Sequence, residues 1–447
     1  MTARIAFIGA GSLEFTRKLV RDVLTFPALE DAAIVLMDIN AERLGFARRV
    51  CQRIIDEGDY PAKLEVTTDR KTALAGADAV LCTILCGDVR TWQHDLLIPD
   101  RWGVSTAIGD TRGPSGIFRF LRTVPTMLSI VRDVEKLCPN AIFLNYTNPM
   151  AMNCRALQRA SSVLVSGLCH SVQHTAMRLA SWVGVPFDEL QYTVAGINHM
   201  SWFIRLEHKN TDLYPRLRKV IRARRDLRRR ECVRCEMFEQ LGYFVTESST
   251  HNSEYNWWFR KRPDLLKKYF PRCKGPKIGM ENDVLYRYRA RERAWKRDVL
   301  RELKDPKPLD LKRGYEYAAH IINSYVSGEP FWFNGNVPNT GLIDNLPHDV
   351  CVEVPVLASR RGLEPIHVGP LPPQCAALNN VTVASEEMAV EAFFQRDPEM
   401  VYHAICYDPL TAAVLSLAET RKMVKEMFRK NRPFLKYFRR LDAWLRS

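Results

Sequence analysis

The stretch Arg4-Ile5-Ala6-Phe7-Ile8-Gly9-Ala10-Gly11-Ser12 decides the fold. A short apolar run ends at a glycine, and a second glycine follows two residues later. Next come Phe15, Leu19 and Val23, four apart, with Val20 and Leu24 beside them, which is one face of an amphipathic helix. Strand, Gly-x-Gly turn and helix in that order open a dinucleotide-binding unit. Gly9 permits the tight turn and Gly11 lets the backbone approach a pyrophosphate. Ser12 opens the helix whose N-terminus receives that charge. The third glycine of the usual fingerprint is absent, because position 14 is Glu. Asp38 ends the next apolar run, 33–37. A carboxylate there accepts hydrogen bonds from an adenosine ribose, which favours NAD over NADP.

Further apolar runs at 79–85, 141–146 and 163–168 alternate with helical patterns at 41–55 and 124–137. Continuous apolar strands between helices imply a parallel sheet covered on both faces. After about residue 190 the pattern changes. Segments 191–195 and 202–207 read as strands and 213–325 as mostly polar helix. The Asn-, Gly- and Pro-rich segment 331–345 reads as a loop, and 386–394 and 415–428 close the chain as helices. The expectation is an α/β protein with a Rossmann-type unit over residues 1–190 and a larger, mostly helical α+β part over 191–447.

The 447 residues suffice for two large units, and 46% hydrophobic with 26% charged residues excludes a disordered or collagen-like chain. No run reaches the ~18 apolar residues of a membrane span, and the first residues carry no secretory pattern. The 12 cysteines are scattered and read as free thiols of a cytoplasmic protein. Cys232-x-x-Cys235 has no second pair at zinc-ribbon spacing and reads as structural. The net charge of +14 hints at an anionic partner. Much of it lies in 216–234 and 261–301. The stretch from Arg218 to Arg230 reads as a solvated face rather than a nucleic-acid site.

Chemistry-bearing residues stand at the ends of later strands. Cys169 and His170 end one run, and Asn198 and His199 follow about thirty residues on. Thiolate and imidazole suit a borderline divalent metal, though a Cys and a His so spaced also occur as core residues. Asn145-Tyr146-Thr147-Asn148-Pro149 ends another run, as a substrate-facing turn or an ordinary one.

Together with Gly9–Ser12, several motifs resemble glycoside hydrolase family 4. They are Asn145–Met150, Gly167-Leu168-Cys169-His170-Ser171-Val172, Gly196-Ile197-Asn198-His199-Met200, 242–249, Glu254-Tyr255, 341–347 and 352–355. Asp110-Thr111, Gly113-Pro114 and Leu121-Arg122-Thr123 also belong to the set. The order is kept over nearly the whole chain, and Cys-His-Ser-Val resembles the α-galactosidase (melibiase) branch. The resemblance implies a lactate/malate dehydrogenase-like fold, a homodimer or homotetramer, and hydrolysis that depends on NAD and a divalent metal, usually Mn2+. In the family scheme NAD+ takes hydride from C3 of the sugar, which acidifies the C2 proton. A base removes that proton while the metal stabilises the enediolate. The leaving group departs from C1, water adds, and the hydride returns.

The resemblance makes Cys169 and His199 metal ligands, His170 the leaving-group acid, and Asn148 a substrate contact. Asp110 becomes an active-site residue. It leaves the base open between Glu247 and Tyr255, with Tyr255 preferred. The sequence departs from the family at Cys86-Gly87-Asp88, at the loop 90–101, and at Arg112 and Ser115. Arg90, Arg112 and Arg122 are the cations expected to face a substrate. They keep open an α-galacturonide, beside an α-glucoside, as alternatives to an α-galactoside. A plain NAD-dependent dehydrogenase is the remaining enzymatic alternative. It would give the Cys169–His199 pair no role.

Overall fold

The computed structural model describes residues 2–270 and 284–447. Thirteen strands form one sheet. They are β1 (Arg4–Ile8), β2 (Ala33–Met37), β3 (Lys63–Thr67), β4 (Ala79–Cys82), β5 (Ile142–Asn145), β6 (Leu164–Leu168) and β7 (Gln191–Ile197). The rest are β8 (Met200–His208), β9 (Thr211–Asp212), β10 (Phe244–Val245), β11 (Phe331–Pro338), β12 (Cys351–Ser359) and β13 (Gly362–Pro365). The first six run parallel in the order β3-β2-β1-β4-β5-β6, the dinucleotide-binding arrangement, with its switch point between β1 and β4.

The inner strands β2 and β4 are apolar throughout because both faces are covered, whereas β3 at the sheet's edge carries Lys63 and Glu65 and is partly exposed. Ile5 and Phe7 of β1 enter one core and Ala6 and Ile8 the other; Ile34 and Leu36 of β2 likewise oppose Val35 and Met37. The helix Leu13–Leu24 buries Leu19, Val20, Val23 and Leu24, as its periodicity predicts. Asn40 caps the helix Ala41–Gly58 by accepting from the Arg43 amide.

Beyond β6 the sheet becomes antiparallel, continuing through β11, β12, β7, β8 and β10. Here the reading of 331–345 as loop is corrected, because residues 331–338 are a central strand between β6 and β12. Its Asn and Gly residues are ladder devices rather than turn signals. Asn334 Nδ2 donates to the Val194 carbonyl (3.0 Å) and Asn336 Nδ2 to that of Gly167 (3.1 Å). At Gly335 a Cβ would lie 2.8 Å from Phe333 Cε2 and 2.9 Å from Ser166 Oγ, so neighbouring side chains occupy the space above this glycine. The strand expected over 79–85 ends at Cys82, and the helix expected over 124–137 begins at Gly113 and passes through Pro125.

The basic stretch forms the helices Tyr214–Ala223 and Arg225–Arg230. Leu217, Ile221 and Leu227 are buried beneath a face of exposed arginines. Part of 261–301 lies outside the described residues. Among the described residues the cysteines are free, and no helix is long and apolar enough to cross a membrane. Cys232 and Cys235 lie on the helix Cys232–Leu241, Cys232 donating to the Tyr269 carbonyl and Cys235 packed in a core.

Candidate active site

The turn after β1 is built as a cradle. The Gly9 and Ala10 amides donate to the Met37 carbonyl (2.9 Å each), and Gly9 adopts φ +92°. The Gly11 amide donates to Asp38 Oδ2 and the Asn40 amide to Asp38 Oδ1, both at 2.8 Å. This fixes the carboxylate at the mouth of the crevice. Ser12 makes no side-chain cap on the helix it opens, so the first helical turn keeps its anion-binding character. These features fit a dinucleotide.

At the far side of the parallel sheet, Cys169 follows β6 and His199 sits in the β7–β8 turn at φ +63°. Glu247 follows β10 at φ +65°. One ligand atom from each of Cys169, His199 and Glu247 lies within 4.8 Å of the other two. The hydrogen bonds favour one histidine tautomer. Thr111 Oγ1 gives its proton to Asp110 Oδ1 (2.9 Å), which leaves Thr111 Oγ1 an acceptor for His199 Nδ1 at 3.1 Å and favours the tautomer protonated there. The Nε2 lone pair is left facing Glu247 Oε2 at 3.5 Å. An imidazole whose other nitrogen is held by an oriented polar chain is the arrangement of a metal-ligating histidine.

The electrostatics agree. Burial lowers the His199 pKa to about 4, which keeps the imidazole neutral and available as a ligand. Burial, then Glu353 and Glu247, push the Cys169 thiol up, and a bound cation would reverse that. Burial disfavours a charged Glu247, but His251 and then His199 hold its carboxyl well below the usual range. His251 Nδ1 stands 3.1 Å from Glu247 Oε1 and its Nε2 3.7 Å from Asp110 Oδ1. Against the effect of burial, Glu247 and Asp110 raise its pKa well above the ordinary value. Asp110, opposed by burial, is held low chiefly by His251. The result is a partly buried Asp110–His251–Glu247 array with a donor triad (thiolate, imidazole, carboxylate) that suits Mn2+ or a similar cation.

Asn148 Nδ2 reaches Asp110 Oδ2 at 3.4 Å. Tyr255 Oη lies 3.3 Å from His199 Nδ1, and burial, then Glu254, raise its pKa well above 10. His170 stands at the N-cap of the helix Ser171–Val183, its side chain 42% exposed and Nδ1 3.8 Å from Glu316 Oε1. Cys169, His199, Glu247, Tyr255, Asp110 and Asn148 therefore come together from six separate loops, and His170 adjoins them in sequence beside Cys169.

Arg122 does not join them, and its expected substrate contact is corrected. It is 4% exposed, one terminal nitrogen 2.6 Å from Asp95 Oδ2 and the other 2.6 Å from Asn431 Oδ1. Arg112 is also buried, bound to Glu386 at 2.9 Å. Only Arg90 of the three cations is exposed. His251 was not singled out in the sequence, and Thr111 stood in a motif without a role of its own. The signal for His251 is its position four residues after Glu247.

Known proteins give an independent reading. The sequence profile described as "Family 4 glycosyl hydrolase" matches residues 4–185, and "Family 4 glycosyl hydrolase C-terminal domain" matches 194–411. An alpha-galactosidase of Bacillus subtilis (strain 168) is 37% identical over 95% of this chain and 97% of its own. One of Rhizobium meliloti (strain 1021) is 34% identical over 95% and 87%. Among solved structures, a putative glucosidase from Bacillus subtilis superposes with TM-score 0.83 at 25% identity, over 95% of this chain and 99% of that one. A 6-phospho-alpha-glucosidase from gut microorganisms, solved in complex with NAD and Mn2+, gives 0.80 at 21% identity, over 97% and 99%. With both profiles matched in order and a cofactor cradle and metal-donor triad both present, the chain belongs to family 4 of the glycosyl hydrolases.

Proposed function

We propose that this NAD- and metal-dependent glycosidase hydrolyses α-galactosides. The observation that carries this is the convergence of Cys169, His199 and Glu247 within 4.8 Å, with Cys169 and the Gly9–Ser12 turn both following the carboxyl ends of parallel strands. When bound, NAD+ supplies the C3 oxidation that makes the C2–H acidic, and the divalent cation supplies Lewis-acid stabilisation of the charge developing there.

The chain's own residues do the rest. The tight turn at Gly9 and Gly11 would bring the dinucleotide phosphates to the N-terminus of the helix opened by Ser12, and Asp38 would hold its ribose. Cys169, His199 and Glu247 would hold the cation. Thr111 and Asp110 keep His199 in the tautomer that offers Nε2. Asn148, tied to Asp110, presents an amide to a sugar hydroxyl. Engaged with the triad and with His251, Glu247 serves the metal and fixes the cluster's charge. This leaves Tyr255 as the residue to take the C2 proton, and a cation held by the triad would lower its phenol from the raised value that burial imposes. His170, on the exposed side of Cys169, gives a proton to the departing oxygen. The uronide alternative has lost two of its three cations, because Arg112 and Arg122 are buried in ion pairs.

Residues 1–190 are assigned the dinucleotide, together with Cys169 and His170. Residues 191–447 supply the remaining ligands, the base and the contacts of a homodimer or homotetramer. The free cysteines among the described residues support a cytoplasmic setting.

The test is cleavage of p-nitrophenyl α-galactoside, α-glucoside and α-galacturonide, each with and without NAD+, Mn2+ and a thiol reductant. The expected result is cleavage of the galactoside alone, dependent on both cofactors, with no NADH accumulating. Cleavage without either cofactor overturns the mechanism, and preference for another sugar overturns the substrate.

A further inference from the structure

Arg112 is the N-cap residue of the helix Gly113–Leu137, and its side chain is 4% exposed. Its Nε donates to Glu386 Oε1 at 2.9 Å, from the distant helix Pro373–Gln395. One terminal nitrogen donates to the Asn198 carbonyl, and the guanidinium carbon lies 4.6 Å from the centre of the Tyr255 ring. A single buried cation therefore touches the peptide preceding His199 and the face of Tyr255.

The His199 turn needs such a hold. His199 is a non-glycine residue at φ +63°, a conformation that surrounding contacts must maintain. From one side Glu353 supports it. Burial raises that carboxyl to about 7, and it accepts from Ser201 Oγ at 2.7 Å and from Asn198 Nδ2 at 3.5 Å. From the other side the Asn198 carbonyl is held by Arg112. A buried Arg–Glu pair is no stabiliser in itself, since apolar groups of similar volume often replace one at no loss. What apolar groups cannot supply is the hydrogen bond to the Asn198 carbonyl and the cation over the Tyr255 ring.

We propose that Arg112, braced by Glu386, is a positioning residue that holds His199 and Tyr255 in the arrangement the metal and the sugar require. The inference rests on the proposed function, in which His199 is a ligand and Tyr255 the base.

The experiment compares wild type with the double variant Arg112→Met/Glu386→Leu, which removes both charges of the buried pair together. Thermal melting, Mn2+ binding to the substrate-free protein by electron paramagnetic resonance, and kcat and KM on the glycoside are all measured. The expected double variant melts within a few degrees of wild type. It binds Mn2+ on the order of tenfold more weakly, and kcat falls by a similar factor with KM nearly unchanged, the scale seen when groups behind a metal ligand are removed. Arg112→Lys keeps the charge but reaches fewer acceptors. It carries the test should the double variant fail to fold, and weakened Mn2+ binding with normal melting is then the supporting result. Wild-type Mn2+ affinity and kcat in a folded variant would overturn the positioning role alone. A wild-type enzyme that binds no Mn2+ overturns the proposed function with it.

Discussion

Replacing Gly11 by alanine tests the cofactor cradle most directly, because the structure fixes both the direction and the size of the effect. A Cβ on Gly11 would lie 2.6 Å from Asp38 Oδ2, where ordinary contact begins at 3.4 Å. The carboxylate must therefore retreat by about 0.8 Å, which stretches the 2.8 Å bond from the Gly11 amide beyond the usual range of about 2.7–3.2 Å. The same movement takes Asp38 away from the ribose. A hydrogen bond to a charged group is worth about 1.5–3 kcal/mol, so NAD+ affinity should fall on the order of 10- to 100-fold. The fold should survive, because the atoms that yield belong to a side chain. Gly9→Ala is the contrasting variant. Its Cβ would lie 2.9 Å from the Thr83 carbonyl carbon and oxygen, which are backbone, and φ +92° is itself unfavourable for alanine. Gly9→Ala should lower the melting temperature with or without cofactor. Titration calorimetry with NAD+ and thermal melting separate the two. If Gly11→Ala binds NAD+ within about twofold of wild type, the cradle has been misplaced.

Cys169→Ser should weaken Mn2+ binding by 10-fold or more, roughly the loss from a disturbed metal shell, while metal-free melting stays near wild type; Mn2+-dependent thermal shift reads this. Arg122→Met leaves Asp95 buried without its cation and should cost about 3–5 kcal/mol in urea unfolding. Arg122→Met/Asp95→Leu should recover most of that with KM unchanged, whereas a raised KM would restore Arg122 to the substrate site. Asp408, fully buried beside Thr411, has its pKa raised by burial from 3.8 to about 6. The native state then holds a proton that the unfolded chain releases, so stability falls as pH rises through that window, by about 3 kcal/mol in all. Asp408→Asn should flatten this pH dependence between about pH 4 and 6, and an unaltered melting profile would refute the assignment.

The parallel half of the fold was legible because its signals are local. Gly9-x-Gly11, the apolar strands and the helical period lie within a few residues of one another, and both faces of the sheet are covered. The 331–338 strand was hidden because its buried Asn334 and Asn336 carry the composition of a turn. Only the carbonyls of Val194 and Gly167, which lie far off in sequence, explain why asparagine is needed there. Arg122 misled in the opposite way. A cation in a motif near the site reads as a substrate contact, and only the fold reveals Asp95 beneath it. The third metal donor was partly legible: Glu247 was noticed as a carboxylate in the right region but weighed as a base. Its position beside Cys169 and His199 depends on β10 pairing with β8, which no local pattern announces.

That pairing points to why the site lies where it does. β6 is the last parallel strand, and its end carries Cys169, whereas His199 belongs to the antiparallel β7–β8 turn. Between them stand β11 and β12, drawn from more than 130 residues later in the chain. β11 is fastened to β6 by Asn336 Nδ2 on the Gly167 carbonyl, two residues before Cys169. β12 meets β7 where Glu353 pairs with Gly196, and the Glu353 carboxyl accepts from Asn198 Nδ2, one residue before His199. The inserted pair thus sets the separation between thiol and imidazole. A two-ligand site is assembled across the seam where a dinucleotide-binding sheet ends and an antiparallel one begins. Glu247, arriving from β10 at the sheet's far edge, closes it. The metal chemistry is consequently an addition to the nucleotide fold rather than a modification of it. The cofactor cradle at β1 shares no hydrogen bond with the triad, so a variant at Gly11 and one at Cys169 should lose cofactor and metal independently.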